Sequence, residues 1–96
     1  MRKRTKIIAT LGPASSSPKS ISNLIKEGTD VFRINLSHAH VNEIEKVINI
    51  LKDASLKLKR PVATLIDLQG QKIRIKGFAD KEYILLKTKS EFILDA

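Results

Sequence analysis

Polar side chains alternate with apolar ones in the stretch FRINLSHAH, from Phe32 to His40. Because successive side chains of a β-strand point to opposite faces, Arg33, Asn35 and Ser37 share one face of the predicted strand. Both faces of a parallel sheet are normally buried, so polar groups near the carboxyl end of a strand indicate a wet or ligand-filled space. The alternative is an exposed edge strand whose polar face meets water, and spacing alone leaves both interpretations open.

A carboxylate occupies the matching end of the next predicted strand. Asp67 ends the run PVATLID, and with the amide of Asn35 and the hydroxyl of Ser37 it offers hard oxygen ligands. Such ligands suit a cation in a site that handles phosphate groups. Ordinary capping of the following loop by Asp67 is the alternative.

Two arginines and a histidine complete the set of candidate binding residues. Arg33 and Arg74 are best placed to bind phosphate oxygens in a bidentate manner, although Arg74 could equally lie on a solvated strand. His38 could contact a nucleotide or could simply begin the next helix.

Strands and helices alternate along the first two thirds of the chain. Ser17 is the predicted N-cap of a helix that has Pro18 at its first position and stops at Gly28. A second helix is predicted from about Ala39 to Lys59, where apolar residues recur at helical spacing. The predicted strands are TKIIATLG, DVFRINLS and PVATLID. This order predicts an α/β fold with a parallel sheet, either doubly wound or part of a (β/α) barrel.

The pattern of the sequence changes after Gly70, from alternating strands and helices to short strand-like segments. The segments KIRIKG, KEYILLK and SEFILDA are short and strand-like, and the Lys87 to Ser90 stretch separates the last two. They predict antiparallel β structure. The change near Ile75 is the candidate domain boundary, which divides the chain into residues 1–75 and 76–96.

Composition narrows the possible partners. The formal net charge of +8 favours anionic partners such as phosphates, nucleotides, nucleic acid or acidic lipid. The chain has no cysteine, which excludes disulfides and cysteine-based zinc sites. No apolar run approaches the roughly 20 residues of a membrane span, and the amino terminus lacks a convincing signal peptide. A cytoplasmic protein with no membrane partner is therefore expected.

Three segments resemble the opening of pyruvate kinase: TKIIATLGPASSS, VFRINLSHA and VATLIDLQGQKIR. The family pattern runs roughly TKI-x-x-T-x-GPAS, then R-x-N-x-SH, then LD-x-KGPEIR. The resemblance implies a partial (β/α)8 TIM barrel, its first three strands in residues 1–75, followed by the first strands of an inserted β-barrel lid in residues 76–96. An N-terminal fragment of the enzyme is therefore expected.

The resemblance also implies an activity and the residues that serve it. The reaction is phosphoryl transfer from phosphoenolpyruvate to ADP, giving pyruvate and ATP, in a glycolytic enzyme that uses Mg²⁺. Arg33 aligns with the arginine that binds the phosphoryl group. The family's monovalent-cation site falls on Asn35, Ser37, Asp67 and the carbonyl of Leu68. The nucleotide-binding positions are Asn35, Leu36, Ser37, His38 and Arg74.

The sequence departs from the family pattern next to Asp67. The glutamate that helps to hold K⁺ is replaced by Lys72, whose ammonium group can substitute for the ion. We therefore expect that K⁺ is not required. Gln69 and Gln71 replace a lysine and a proline, and Ile75 replaces a threonine, which leaves room for a diverged paralogue.

The resemblance places the catalytic lysine and the Mg²⁺ ligands on later strands, so the isolated chain is expected to be inactive. The whole enzyme is expected to be a homo-oligomer, a tetramer by family resemblance, and the chain alone to self-associate through its open sheet edges. Two alternatives stay open: a short non-catalytic protein or pseudoenzyme that binds phosphate or nucleotide, and a basic nucleic-acid-binding domain. The second is weakened because only three Phe and one Tyr are present.

Overall fold

Three parallel strands and two helices make up the regular secondary structure of the described residues. The structure is a computed structural model that describes residues 3–37, 40–78 and 82–94. In chain order the elements are β1 (Ile8–Thr10), α1 (Pro18–Glu27), β2 (Val31–Asn35), α2 (Val41–Leu58) and β3 (Ala63–Asp67). The strands lie in the order β1-β2-β3 in one sheet. The predicted βαβαβ order and the parallel sheet are confirmed.

The ends of α1 follow from its sequence. The Ser17 hydroxyl accepts a hydrogen bond from the backbone N–H of Ser20 at 3.1 Å, and Pro18 occupies the first turn, where its missing N–H has no helical partner to lose. Gly28 ends the helix with a φ of 115°, in the left-handed region that favours glycine. All three predicted roles are confirmed.

One face of the sheet packs against both helices. The central strand β2 alternates, with Phe32 and Ile34 buried and Arg33 half-buried on the opposite side. The buried cluster consists of Ile21, Ile25, Phe32, Leu51 and Ala54. Right-handed crossovers between strands in sequential order put both helices on the same face, whereas a doubly wound sheet has helices on both. The arrangement is therefore that of an arc of a (β/α) barrel.

The other face of the sheet has no covering helix in the described part of the chain. Strand register places Thr10 beside Arg33, and Asn35 beside Asp67, on this face. The helix layer also stops short of β3, because Ile66 is 43% exposed while Ile34, its partner in β2, is 5% exposed.

Polar contacts secure the amino-terminal ends of the strands, opposite the candidate site. The Lys3 ammonium pairs with Asp30 at 2.6 Å, and the Ile7 backbone N–H donates to the same carboxylate at 2.9 Å. The hydrogen bond from Lys3, followed by that from Ile7, lowers the pKa of Asp30. Arg60 donates to the carbonyl oxygen of Ile25 at 2.6 Å, at the end of α1.

The predicted strands of the tail are not formed in residues 68–78 and 82–94, apart from an isolated bridge residue at Phe78. The chain turns in the Lys87 to Ser90 stretch, where the Ser90 backbone N–H donates to the Lys87 carbonyl at 3.0 Å. Ile73 and Leu85 are exposed. A β-strand is stabilised by hydrogen bonds to a neighbouring strand. The alternation of apolar and polar residues in this segment is typical of a strand, but the described residues contain no neighbouring strand to pair with it.

Neither of the two helices combines the length and the apolar character that crossing a membrane requires, a finding that covers the described residues.

Candidate functional site

An arginine lies at the centre of the uncovered sheet face. The Nη2 group of Arg33 donates to a carboxylate oxygen of Asp67, and its Nη1 group donates to the Thr10 hydroxyl at 3.3 Å. The guanidinium therefore spans all three strands at their carboxyl ends. The side chains of Arg33 and Asp67 are 32% and 37% exposed, so both remain accessible to a ligand.

Three hydrogen bonds fix the loop after β2. The Asn35 side-chain oxygen accepts from the backbone N–H of Ser37 at 2.9 Å, which forms a local turn. The backbone N–H of Leu36 donates to the Asp67 carbonyl at 3.2 Å, and the Gln69 amide donates to the Leu36 carbonyl, also at 3.2 Å. The loops after β2 and β3 are thus joined.

A cavity of about 390 Å³ opens between these two loops, lined by Ser37, Gln69, Gly70, Lys72 and Arg74. Two of its five lining residues are cationic and none is acidic. Lys72 and Arg74 take part in no ion pair among the described residues. The cavity is therefore suited to an anionic ligand such as a phosphate group.

Comparison with known proteins identifies the family. The family model described as "Pyruvate kinase, barrel domain" matches residues 2–96. The chain belongs to the pyruvate kinase family. The resemblance of its three motifs to that family is confirmed, and the three-stranded arc is part of a pyruvate kinase barrel domain.

Curated relatives agree with this assignment. The chain is 42% identical to the pyruvate kinase of Methylorubrum extorquens over 94 residues, which are 98% of this chain and 20% of that protein. It is 48% identical to the Thermotoga maritima enzyme over 90 residues, covering 94% of this chain and 19% of that protein. The chain thus spans about one fifth of the length of these relatives.

The residues predicted as pyruvate kinase site residues fall into two neighbouring groups. Arg33, Asn35 and Asp67 lie together on the sheet face. Ser37 and Arg74 line the cavity. Leu36 has both of its backbone groups hydrogen-bonded, Leu68 is exposed, and His38 lies outside the described residues.

The positive charge beside Asp67 comes from Arg33. Among the described residues, Asp67 forms its ion pair with the Arg33 guanidinium. Lys72 lines the cavity together with Ser37. The oxygens of Asn35 and Asp67 fit a monovalent cation by type, but each already accepts a hydrogen bond.

No group of three or more His, Cys, Asp or Glu side chains in the described ranges is arranged to hold a metal ion. These residues therefore do not make a complete protein cage for a divalent cation.

Two residues that contact this site were missed as site residues at the sequence level. Thr10 is the register partner of Arg33, and Gln69 bridges the two loops. The position of Thr10 at the carboxyl end of the first predicted strand was a usable signal. Its contact with Arg33 depends on the pairing of β1 with β2. The sequence of either strand alone does not reveal that pairing.

Proposed function

We propose that this chain forms the first three strands of a pyruvate kinase barrel and contributes to phosphoryl transfer from phosphoenolpyruvate to ADP. The observation that carries the proposal is the Arg33 guanidinium, held between Thr10 and Asp67 on an uncovered sheet face. Barrel enzymes place their active sites at the carboxyl ends of the strands, where this guanidinium lies.

In this reaction the bond between phosphorus and the enol oxygen breaks, and a bond between phosphorus and a terminal phosphate oxygen of ADP forms. The enolate that leaves takes up a proton on its methylene carbon to give pyruvate. Phosphoryl transfer depends mainly on positioning and on electrostatic stabilisation of the transferring oxygens. Arg33 offers planar, charged N–H donors for those oxygens, and the two groups that it already contacts fix the plane of its fork. Its role is therefore to bind and orient the phosphoryl group.

The neighbouring cavity supports nucleotide binding. Its volume of about 390 Å³ falls within the roughly 300–1,000 Å³ of small-molecule sites. Lys72 and Arg74 provide positive charge, and Ser37 provides a hydroxyl, for the phosphates of ADP or ATP. Asn35, Leu36 and His38 complete the proposed nucleotide-binding stretch.

We further propose that catalysis does not require K⁺. Lys72 replaces the family's glutamate, so its ammonium group supplies a fixed positive charge at a position where the family pattern helps to hold an ion. The proposed K⁺ positions are Asn35, Ser37, Asp67 and Leu68. The Mg²⁺ that the family uses would neutralise phosphate charge when bound, with ligands from outside this chain.

The remaining proposals concern the domain to which the tail belongs, the location of the enzyme and its oligomeric state. Residues 76–96 begin the inserted lid, and the whole enzyme is a cytoplasmic glycolytic oligomer, a tetramer by family resemblance. The chain alone has no activity, because the resemblance places the catalytic lysine and the Mg²⁺ ligands on later strands. It self-associates, because within the described residues the edge strand β3 is paired on one side only and exposes Leu65 and Ile66.

A segment exchange tests the proposed function. The matching 90 residues of the Thermotoga maritima pyruvate kinase are replaced by this chain, and phosphoenolpyruvate-dependent formation of ATP is measured. We expect turnover in the exchanged enzyme and none from the chain alone. An exchanged enzyme that retains the parent's circular dichroism and oligomeric size, binds ADP, and lacks turnover favours the non-catalytic alternative.

The same exchanged enzyme tests the K⁺ proposal. We expect similar turnover in tetramethylammonium and in potassium buffer. The Lys72→Glu variant restores the family's glutamate and should gain activation by potassium. Strong potassium activation before that change would contradict the proposal.

A further inference from the structure

A hydroxyl from β1 contacts the proposed phosphoryl-binding arginine. The Thr10 Oγ1 atom accepts a hydrogen bond from Nη1 of Arg33 at 3.3 Å. Thr10 and Arg33 are register partners in neighbouring parallel strands, so this contact is set by the pairing of β1 with β2. Asp67 accepts from Nη2 on the β3 side.

These two contacts leave donors free. A guanidinium carries five N–H groups in a rigid plane, and Thr10 and Asp67 engage one group on each terminal nitrogen. The other three N–H groups donate no hydrogen bond to the described residues, and the side chain is 32% exposed, so they remain available to an anion. Two contacts on different strands also restrain the plane of the fork, which a single ion pair does not do.

The side chain of Thr10 is suited to this restraint. Threonine branches at Cβ, so its χ1 angle has few accessible states within a strand, and its hydroxyl stays in place. A flexible acceptor would lose more conformational entropy on forming the same bond.

We propose that Thr10 is a positioning residue for the phosphoryl-binding arginine: its hydroxyl fixes the orientation of the Arg33 guanidinium. This inference rests on the proposed function of Arg33. Its consequence is selective, because the contact affects binding of phosphoenolpyruvate and leaves binding of ADP unchanged.

The test compares variants of the exchanged Thermotoga maritima enzyme. Thr10→Val removes the hydroxyl and keeps the shape and the β-branch, while Thr10→Ser keeps the hydroxyl. Thr64→Val makes the same substitution in β3, at a position that pairs with Phe32 and therefore lies on the helix-facing side of the sheet. KM for phosphoenolpyruvate, KM for ADP and kcat are measured for each.

We expect Thr10→Val to raise KM for phosphoenolpyruvate by about three- to tenfold, the effect of one modest hydrogen bond. KM for ADP should stay within about twofold, Thr10→Ser should restore most of the affinity, and Thr64→Val should match the unchanged enzyme. Equal KM values in Thr10→Val and Thr64→Val would overturn the inference.

Two further measurements separate the possible failures. If Arg33→Ala also leaves KM for phosphoenolpyruvate unchanged, the proposed function of Arg33 fails; if only Thr10→Val is silent, the positioning inference alone fails. NMR of the Arg33 side-chain N–H groups in the 96-residue chain provides a readout without activity. Thr10→Val should accelerate their exchange with water, and unchanged exchange would count against the contact.

Discussion

Replacement of Phe32 by alanine tests the core on which the site is built. Phe32 is fully buried in the central strand, on the side opposite Arg33. Burial of about 150–250 Å² at roughly 25 cal/mol per Å² corresponds to about 4–6 kcal/mol. Phe→Ala substitutions in cores cost about 3–5 kcal/mol because the cavity collapses only in part. We expect a loss in that range for Phe32→Ala.

The assay is urea unfolding of the 96-residue chain followed by far-ultraviolet circular dichroism, which reports α1 and α2. With a urea dependence of about 1 kcal/mol per molar, a loss of about 3 kcal/mol lowers the midpoint by about 3 M. Small domains have only about 5–15 kcal/mol of stability, so Phe32→Ala should lose a large share of the free energy of unfolding.

Phe92→Ala is the matched control, because the same side chain is removed at a position that is 40% exposed. It should cost less than about 1 kcal/mol, although Phe92 stacks edge-on against Phe78 with ring centroids 6.5 Å apart. If the two variants unfold at the same urea concentration, the helix-facing side of β2 does not hold the core described above.

Three further predictions concern single contacts. Gly28→Ala should cost about 1–2 kcal/mol in urea unfolding because its φ of 115° disfavours a side chain, whereas Lys59→Gly, at a φ of 50°, should be neutral or stabilising. The pKa of Asp30 is lowered in the folded state by the hydrogen bond from Lys3, so the stability that this carboxylate contributes is present above its ordinary value of 3.8 and is lost as the pH falls through the lowered pKa. The stability difference between the unchanged chain and Asp30→Asn should therefore shrink with acidification below that value, and a constant difference would contradict the assignment. Gln69→Met removes the donor to the loop after β2 and should increase hydrogen exchange of the Ser37 amide, with no change expected from Gln71→Met.

The elements of this fold were predictable because their signals are local. Ser17, Pro18 and Gly28 mark the ends of α1, and the alternation around Phe32 marks β2. The end of α2 at Leu58, next to Lys59 in the left-handed region, also agrees with the predicted boundary. Each of these features depends on residues that are close in sequence.

The contacts within the site were less predictable because they join distant segments. The sequence predicts phosphoryl binding for Arg33 and cation binding for Asp67. Their ion pair follows from the register of β2 with β3, which brings together two residues that are 34 positions apart in sequence. The strands predicted after Gly70 are not formed in the described residues for a related reason. The alternating pattern of this segment is typical of strands, but a strand forms only where another strand pairs with it.

The decisive measurement is kcat/KM for phosphoenolpyruvate in the exchanged Thermotoga maritima enzyme carrying Arg33→Ala, compared with the exposed control Arg4→Ala. Loss of charge-assisted hydrogen bonds from a partly exposed arginine is worth about 2–4 kcal/mol, or roughly 30- to 1,000-fold. A fall of that size in Arg33→Ala, with Arg4→Ala unchanged, is the predicted result. Equal kcat/KM values in the two variants would contradict the assignment of this sheet face as the phosphoryl-binding surface.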